Sequence, residues 1–184
     1  MKAEELLAKY FPPEALPLFL THSRLVARKA VLTAQKHPDA DNLDIDFIEE
    51  AAMLHDIGVA FTSAPGLGCH GNAPYILHGI IGRDILDREG LPRHGLICER
   101  HIGVGLTVAD IRKQNLPLPL RDMVPVTTEE KIVAYADLFF SKKPDILTVE
   151  KPLEQVRREL ARFGEDKLTV LDGWLMEFAG KKRI

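Results

Sequence analysis

Apolar residues recur at spacings of three and four through most of this chain, and clear period-2 alternation is missing. A helical side chain returns to the same face about every 3.6 residues, so this pattern specifies amphipathic helices rather than strands. Helices are expected near 2–9, 14–36, 46–57, 77–89, 92–101, 107–114, 128–141, 150–163 and 165–178, the second restarting after Pro17. Asp46 with Glu49 and Thr127 with Glu130 have the spacing of capping boxes. Pro92 and Pro152 suit first helical turns, and Gly90 and Gly164 suit helix ends. The expected class is all-α. Two stretches fall outside the pattern, 58–76 and the proline-rich 115–127. The first is rich in Gly, Pro, Ser and Asn, and long loops of that kind tend to carry function.

A chain of 184 residues suits one domain with a buried core. The formal net charge of -3 gives no basic excess for a nucleic-acid polymer. Cys69 and Cys98 stand alone, with neither a CxxC pair nor a disulfide ladder. The start, MKAEELLAKYF, lacks the apolar run of a signal peptide, and no apolar run approaches a membrane span. The expectation is a cytoplasmic protein with no membrane partner.

Polar groups interrupt the apolar stripes at regular positions. His22 shares a face with Val26 and Ala30, and His55 follows Ile48, Ala51 and Ala52. His78 leads Ile81, Gly82 and Ile85, while His101 closes a stripe with Ile97 and Cys98. Asp137 sits between Val133 and Phe140. Taken singly, a histidine on an apolar face is more often a hydrogen-bonded core residue than a ligand. A buried, unpaired carboxylate costs several kcal/mol or takes up a proton (roughly). Five helices each turning such a group inward are explained together by a shared metal centre, where imidazoles and carboxylates bind a cation that offsets the buried charge. Asp56 follows His55 directly, and adjacent helical residues diverge by about 100°. Both therefore reach one site only from the edge of a cavity, where Gly58 is expected to end the helix and leave room.

The order His22, His55-Asp56, His78, His101, Asp137 resembles the HD superfamily of metal-dependent phosphohydrolases. LHDIG at 54–58 is similar to the signature of its HDIG subgroup, and ILHGIIGRDIL at 76–86, ERHIG at 99–103 and EKIVAYADLF at 130–139 resemble its later motifs. The resemblance covers about 18–142, leaving 150–178 as a helical extension that packs on the bundle or forms a homodimer contact. It implies a helical bundle around the metal site. His22, His55, Asp56 and Asp137 would be the ligand set found throughout the family. His78 and His101 are the extra histidines of its dinuclear members, where Asp56 bridges both ions. Two divalent ions follow, iron or manganese first, with Mg, Co, Ni or Zn as further options. Asp56, His78 and His101 would then stand at the reacting centre, where a metal-bridging hydroxide attacks phosphorus.

The implied substrate is a small phosphorylated molecule, a nucleotide or another phosphoester or phosphoanhydride. The motif arrangement also resembles that of HD-type diadenosine tetraphosphate hydrolases. Val59 stands where many HDIG relatives carry a phosphate-holding lysine, so another cation is needed. Arg24, Arg83 and Arg100 lie near ligands in sequence, with Lys142 and Lys143 farther off. His70 reads as a loop residue, His94 shares the face of His101, and His37 reads as a surface residue before Pro38. Two other functions fit the same ligands: a mixed-valent di-iron oxygenase, and a non-catalytic, metal-stabilised nucleotide-binding module.

Overall fold

The computed structural model describes residues 3–180. Lys2, the expected start of the first helix, lies outside them. The described residues form nine α-helices: α1 (Ala3–Tyr10), α2 (Leu16–Gln35), α3 (Ile45–Leu54), α4 (His78–Arg88), α5 (Pro92–Arg100), α6 (Val108–Lys113), α7 (Thr128–Asp137), α8 (Leu153–Ala161) and α9 (Glu165–Phe178). The only sheet among them is a two-residue antiparallel ladder in the first loop, β1 (Ser63–Ala64) with β2 (Cys69–His70). The all-α class is therefore observed. Among the described residues no helix is long and apolar enough to cross a membrane.

The stripes bury as their spacing requires. Helix α2 lies between α3 and α7, and α4 packs on α5 and on the 3₁₀ turn Ile57–Phe61. Phe19, Val26 and Ala30 of α2, Ile48 and Leu54 of α3, Ile85 and Leu86 of α4 and Ile132 and Val133 of α7 are fully buried in one apolar core. Burial of such side chains contributes about 1.5–3 kcal/mol each. Val156, Leu160, Leu171 and Trp174 carry α8 and α9 into the same core. The stretch 115–127 has no helix, yet Leu118 and Met123 seal a second apolar cluster with Ile111.

Several boundaries differ from the sequence reading. Helix α3 is capped by Asp44, whose side chain accepts from the Phe47 amide, not by Asp46. Thr127 accepts from the Glu130 amide, but Glu130 turns its carboxylate to the Val126 amide, so that box is only half formed. A full box lies at Thr107 and Asp110 instead. Pro152 precedes α8 as its N-cap residue, and Pro17 sits inside the first turn of an uninterrupted α2. The third helix, expected to reach 57, stops at Leu54, and the seventh, expected to reach 141, stops at Asp137.

Candidate metal centre

The early end of α3 decides the geometry. His55 is the C-cap residue, and Asp56 leaves helical geometry at φ -105°, ψ 7°. Freed from the helical divergence of neighbours, both side chains turn to one point: His55 Nε2 lies 3.0 Å from Asp56 Oδ2. Gly58 does not end the helix. It sits in the following 3₁₀ turn, where an added Cβ would fall 2.0 Å from the His78 carbonyl oxygen and 2.4 Å from the Gly82 nitrogen. Its missing side chain lets the first turn of α4 touch the His-Asp segment, and that contact brings His78 to Asp56.

The six polar groups gather in two sets that share one residue. Candidate ligand atoms of His22, His55, Asp56 and Asp137 all lie within 4.8 Å of one another, as do those of Asp56, His78 and His101. Asp56 Oδ2 faces His22 Nε2 at 3.4 Å and His55 Nε2 at 3.0 Å. Asp56 Oδ1 faces His78 Nε2 and His101 Nε2, each at 3.6 Å. Asp137 Oδ1 closes the first set, 3.0 Å from His22 Nε2 and 3.4 Å from His55 Nε2.

Three imidazoles are oriented in the same way. The Nδ1 atoms of His55, His78 and His101 lie 2.7, 2.7 and 2.8 Å from the carbonyl oxygens of Ala52, Tyr75 and Cys98, each three residues earlier. A carbonyl only accepts, so Nδ1 carries the proton and donates it, and Nε2 is left to face the centre. Metal-ligating histidines are fixed by this kind of hydrogen bond.

Burial opposes charge on Asp56 and Asp137, yet both stay well below the usual carboxylate range. His55 and Lys142 outweigh burial at Asp56, and Lys142 and His55 do so at Asp137. Burial also opposes charge on His55, but Asp56 and Asp137 raise its pKa to about 10, so a cation between the same carboxylates would take the place of its Nε2 proton. Burial dominates at His78, whose pKa falls to about 4, keeping it neutral. The residues fit divalent cations on a direct observation. His55 Nε2 and both oxygens of Asp56 are buried without a hydrogen bond of ordinary geometry. Buried polar atoms of this kind rarely stay unpartnered; Lys142 comes close to Asp56 Oδ2 alone, and a divalent cation would satisfy His55 Nε2 and Asp56 Oδ1 as well.

The cations expected near the site fall elsewhere. Arg24, two positions and so about 200° around α2 from His22, is solvated and paired with Glu4. Arg83 is held by Glu99 and Asp87, and Arg100 by Glu130. None of the three is held at the cluster. Lys142 is: its Nζ lies 2.7 Å from Asp56 Oδ2 and 3.8 Å from Asp137 Oδ1. Burial opposes its charge, but Asp137 and Asp56 raise its pKa above the ordinary lysine value. Tyr75, which sequence reasoning missed, stacks obliquely on His78 with ring centroids 4.8 Å apart, and its hydroxyl interacts with Lys142. Nothing in the pattern of a Gly- and Pro-rich loop marks that tyrosine. His94 pairs with Glu50, His70 is exposed in β2, and His37 packs on Phe178. Val59 is fully buried. Cys98 is buried with its thiol turned to the Leu54 carbonyl, and burial pushes its pKa well up, which rules it out as a thiolate nucleophile.

A helical fold with clustered histidines and aspartates on α2, α4 and α7 and just past the ends of α3 and α5 defines an HD-type metal centre. The family model described as HD domain matches residues 19–140, and the chain belongs to the HD-domain family. It is similar to an uncharacterized protein of Methanocaldococcus jannaschii, 39% identical over 116 residues and 61% of each chain. It is also similar to the tRNA (cytidine(56)-2'-O)-methyltransferase of Thermoplasma volcanium, 33% identical over 178 residues, 96% of this chain and 46% of that one. The protein of the same name from Picrophilus torridus is 35% identical over 139 residues, 71% of this chain and 37% of the relative. The chain thus spans less than two thirds of the length of each of these relatives. The crystal structure of the L. monocytogenes phosphodiesterase PgpH HD domain shares the fold, with a TM-score of 0.53 over 95% of this chain and 87% of that one, at 16% identity.

Proposed function

We propose that this protein is a metal-dependent phosphohydrolase acting on a nucleotide or another small phosphoester or phosphoanhydride. The reading rests on one observation: the two oxygens of Asp56 face two different sets of imidazoles. Divalent cations would be held by Asp56 with His22, His55 and Asp137 on one side and by Asp56 with His78 and His101 on the other. Divalent ions held there, iron or manganese by the mixed N/O donor set, would activate water as the nucleophile and neutralise charge on the phosphoryl oxygens.

The chain's own residues do the rest. The backbone carbonyls of Ala52, Tyr75 and Cys98 hold three imidazoles in register before substrate arrives, so little reorganisation remains for the reaction. Asp56 and Asp137 stay ionised and supply the negative charge that retains cations. His22, His55, Asp56, His78 and His101 are buried, and removal from bulk water strengthens each electrostatic contact. No cysteine among the described residues offers a nucleophile, and none is needed. The methyltransferase name belongs to longer relatives, and nothing about methyl transfer is carried to this chain.

The test is to purify the chain, load it with Mn²⁺ or Fe²⁺ and screen nucleotides and phosphoesters for phosphate release. Metal-dependent release that disappears in Asp56→Ala is the expected result. Oxygen uptake dependent on an organic substrate, without phosphate release, would assign the centre to an oxygenase instead. Tight nucleotide binding without turnover would assign it to a binding module.

A further inference from the structure

We propose that Lys142 and Tyr75 form the wall of the centre that receives the anionic oxygens of the substrate. The anion is phosphate if the phosphohydrolase reading holds; the pair itself is argued from geometry alone.

The side chains of His22, His55, Asp56, His78 and His101 are 0, 0, 1, 5 and 2% exposed, so none of them meets solvent. Asp137 at 17%, Lys142 at 16% and Tyr75 at 38% are the partly exposed groups beside them. The partly exposed edge of the cluster therefore carries one carboxylate that belongs to the cation set and two hydrogen-bond donors. An ammonium has three N–H groups, and Asp56 and Asp137 engage only part of them. The phenol adds an O–H beside it. Two donors beside a cation-binding centre, one of them charged, suit an oxyanion with several acceptor oxygens better than a cationic ligand.

Their placement is built from both ends of the fold. Lys142 lies five residues beyond Asp137, on the segment where buried Phe139 and Phe140 fix the chain after α7. Tyr75 belongs to the 3₁₀ turn Tyr75–Leu77 that leads into α4, and its own carbonyl fixes His78. The same short turn thus orients one candidate ligand and one donor. Arg24, Arg83 and Arg100 are tied to carboxylates elsewhere and leave this role to Lys142.

The experiment uses the full chain loaded with Mn²⁺, with inorganic phosphate as the probe, read by isothermal titration calorimetry alongside metal analysis. The variants are K142M, K142R and Y75F. The expected result is that K142M weakens phosphate at least tenfold and Y75F several-fold, with manganese stoichiometry and Tm of the loaded protein kept near wild type. K142R is expected to retain part of the affinity. Unchanged phosphate affinity in K142M, or a wild-type protein that binds no phosphate, overturns the proposal. So does loss of manganese in both K142M and Y75F, which would make the pair a structural part of the cation site. Lysine-dependent phosphate binding without hydrolysis of any phosphoester would sink the phosphohydrolase reading and leave this one standing.

Discussion

The Nε2 atoms of His78 and His101 stand 3.3 Å apart, and each ring has its Nδ1 proton committed to a backbone carbonyl. A neutral ring so committed has no proton left to place between them. Two lone pairs at that distance repel unless a cation or an added proton intervenes, and His78 resists protonation because it is buried. On the proposed two-cation reading, replacing either histidine with alanine should lower bound metal from about two equivalents to about one, while the set built on His22, His55, Asp56 and Asp137 keeps its ion. Activity should fall by about 100-fold or more, since perturbing metal ligation even from outside the ligand set costs about 10–100-fold. Elemental analysis beside kinetics checks this; full retention of two ions would remove His78 and His101 from the site.

Asp56 reaches both sets, so Asp56→Ala should empty both. A ligand present at about 1,000 times its Kd stabilises the native state by about 4 kcal/mol. The variant should lose that metal-dependent rise in Tm, which thermal melts with and without added Mn²⁺ would show. A rise equal to that of wild type would contradict the bridging assignment.

Gly58→Ala tests the close approach of α4. The added methyl would meet backbone atoms of His78 and Gly82, which cannot swing away as a flexible side chain can. Overpacking of this kind costs about 1–3 kcal/mol, and a backbone clash belongs at the upper end. The 3₁₀ turn and α4 should separate, weakening the His78 and His101 set more than the other. Urea denaturation and metal stoichiometry read the two effects separately.

Asp110 gives the pH dependence of stability. Burial opposes its charge, but the Lys167 ammonium and the Thr107 donors hold its pKa below the ordinary value of 3.8. A carboxyl with a depressed folded pKa contributes stability that is complete above the unfolded value and is lost as pH falls through the folded one. Asp110→Asn should therefore cost about 2 kcal/mol at pH 7. The gap to wild type should hold down to about pH 4 and narrow below it. Denaturation curves at pH 7, 5 and 3 follow the gap; one that stays constant to pH 3 would detach Asp110 from the acid response.

The helices and the inward polar groups were legible because both are local. Periodicity near 3.6 places His22 with Val26 and His78 with Ile85 whatever the rest of the chain does, and one-sided burial follows from it. Chain termination and charge pairing are not local in that sense. Helix α3 stops at Leu54, three residues before its apolar pattern suggests, because His55 and Asp56 must face one centre and α4 must lie against Gly58. The residues expected to hold phosphate illustrate the same limit. Closeness in sequence favoured Arg24, Arg83 and Arg100, yet carboxylates at Glu4, Glu99 and Glu130 draw them elsewhere. The cation beside Asp56 arrives on the segment after α7, from Lys142. Sequence determined which faces are buried and which groups are out of place in them. Only the packed fold decided which oxygen meets which nitrogen, because those distances are set by segments that meet in space rather than along the chain.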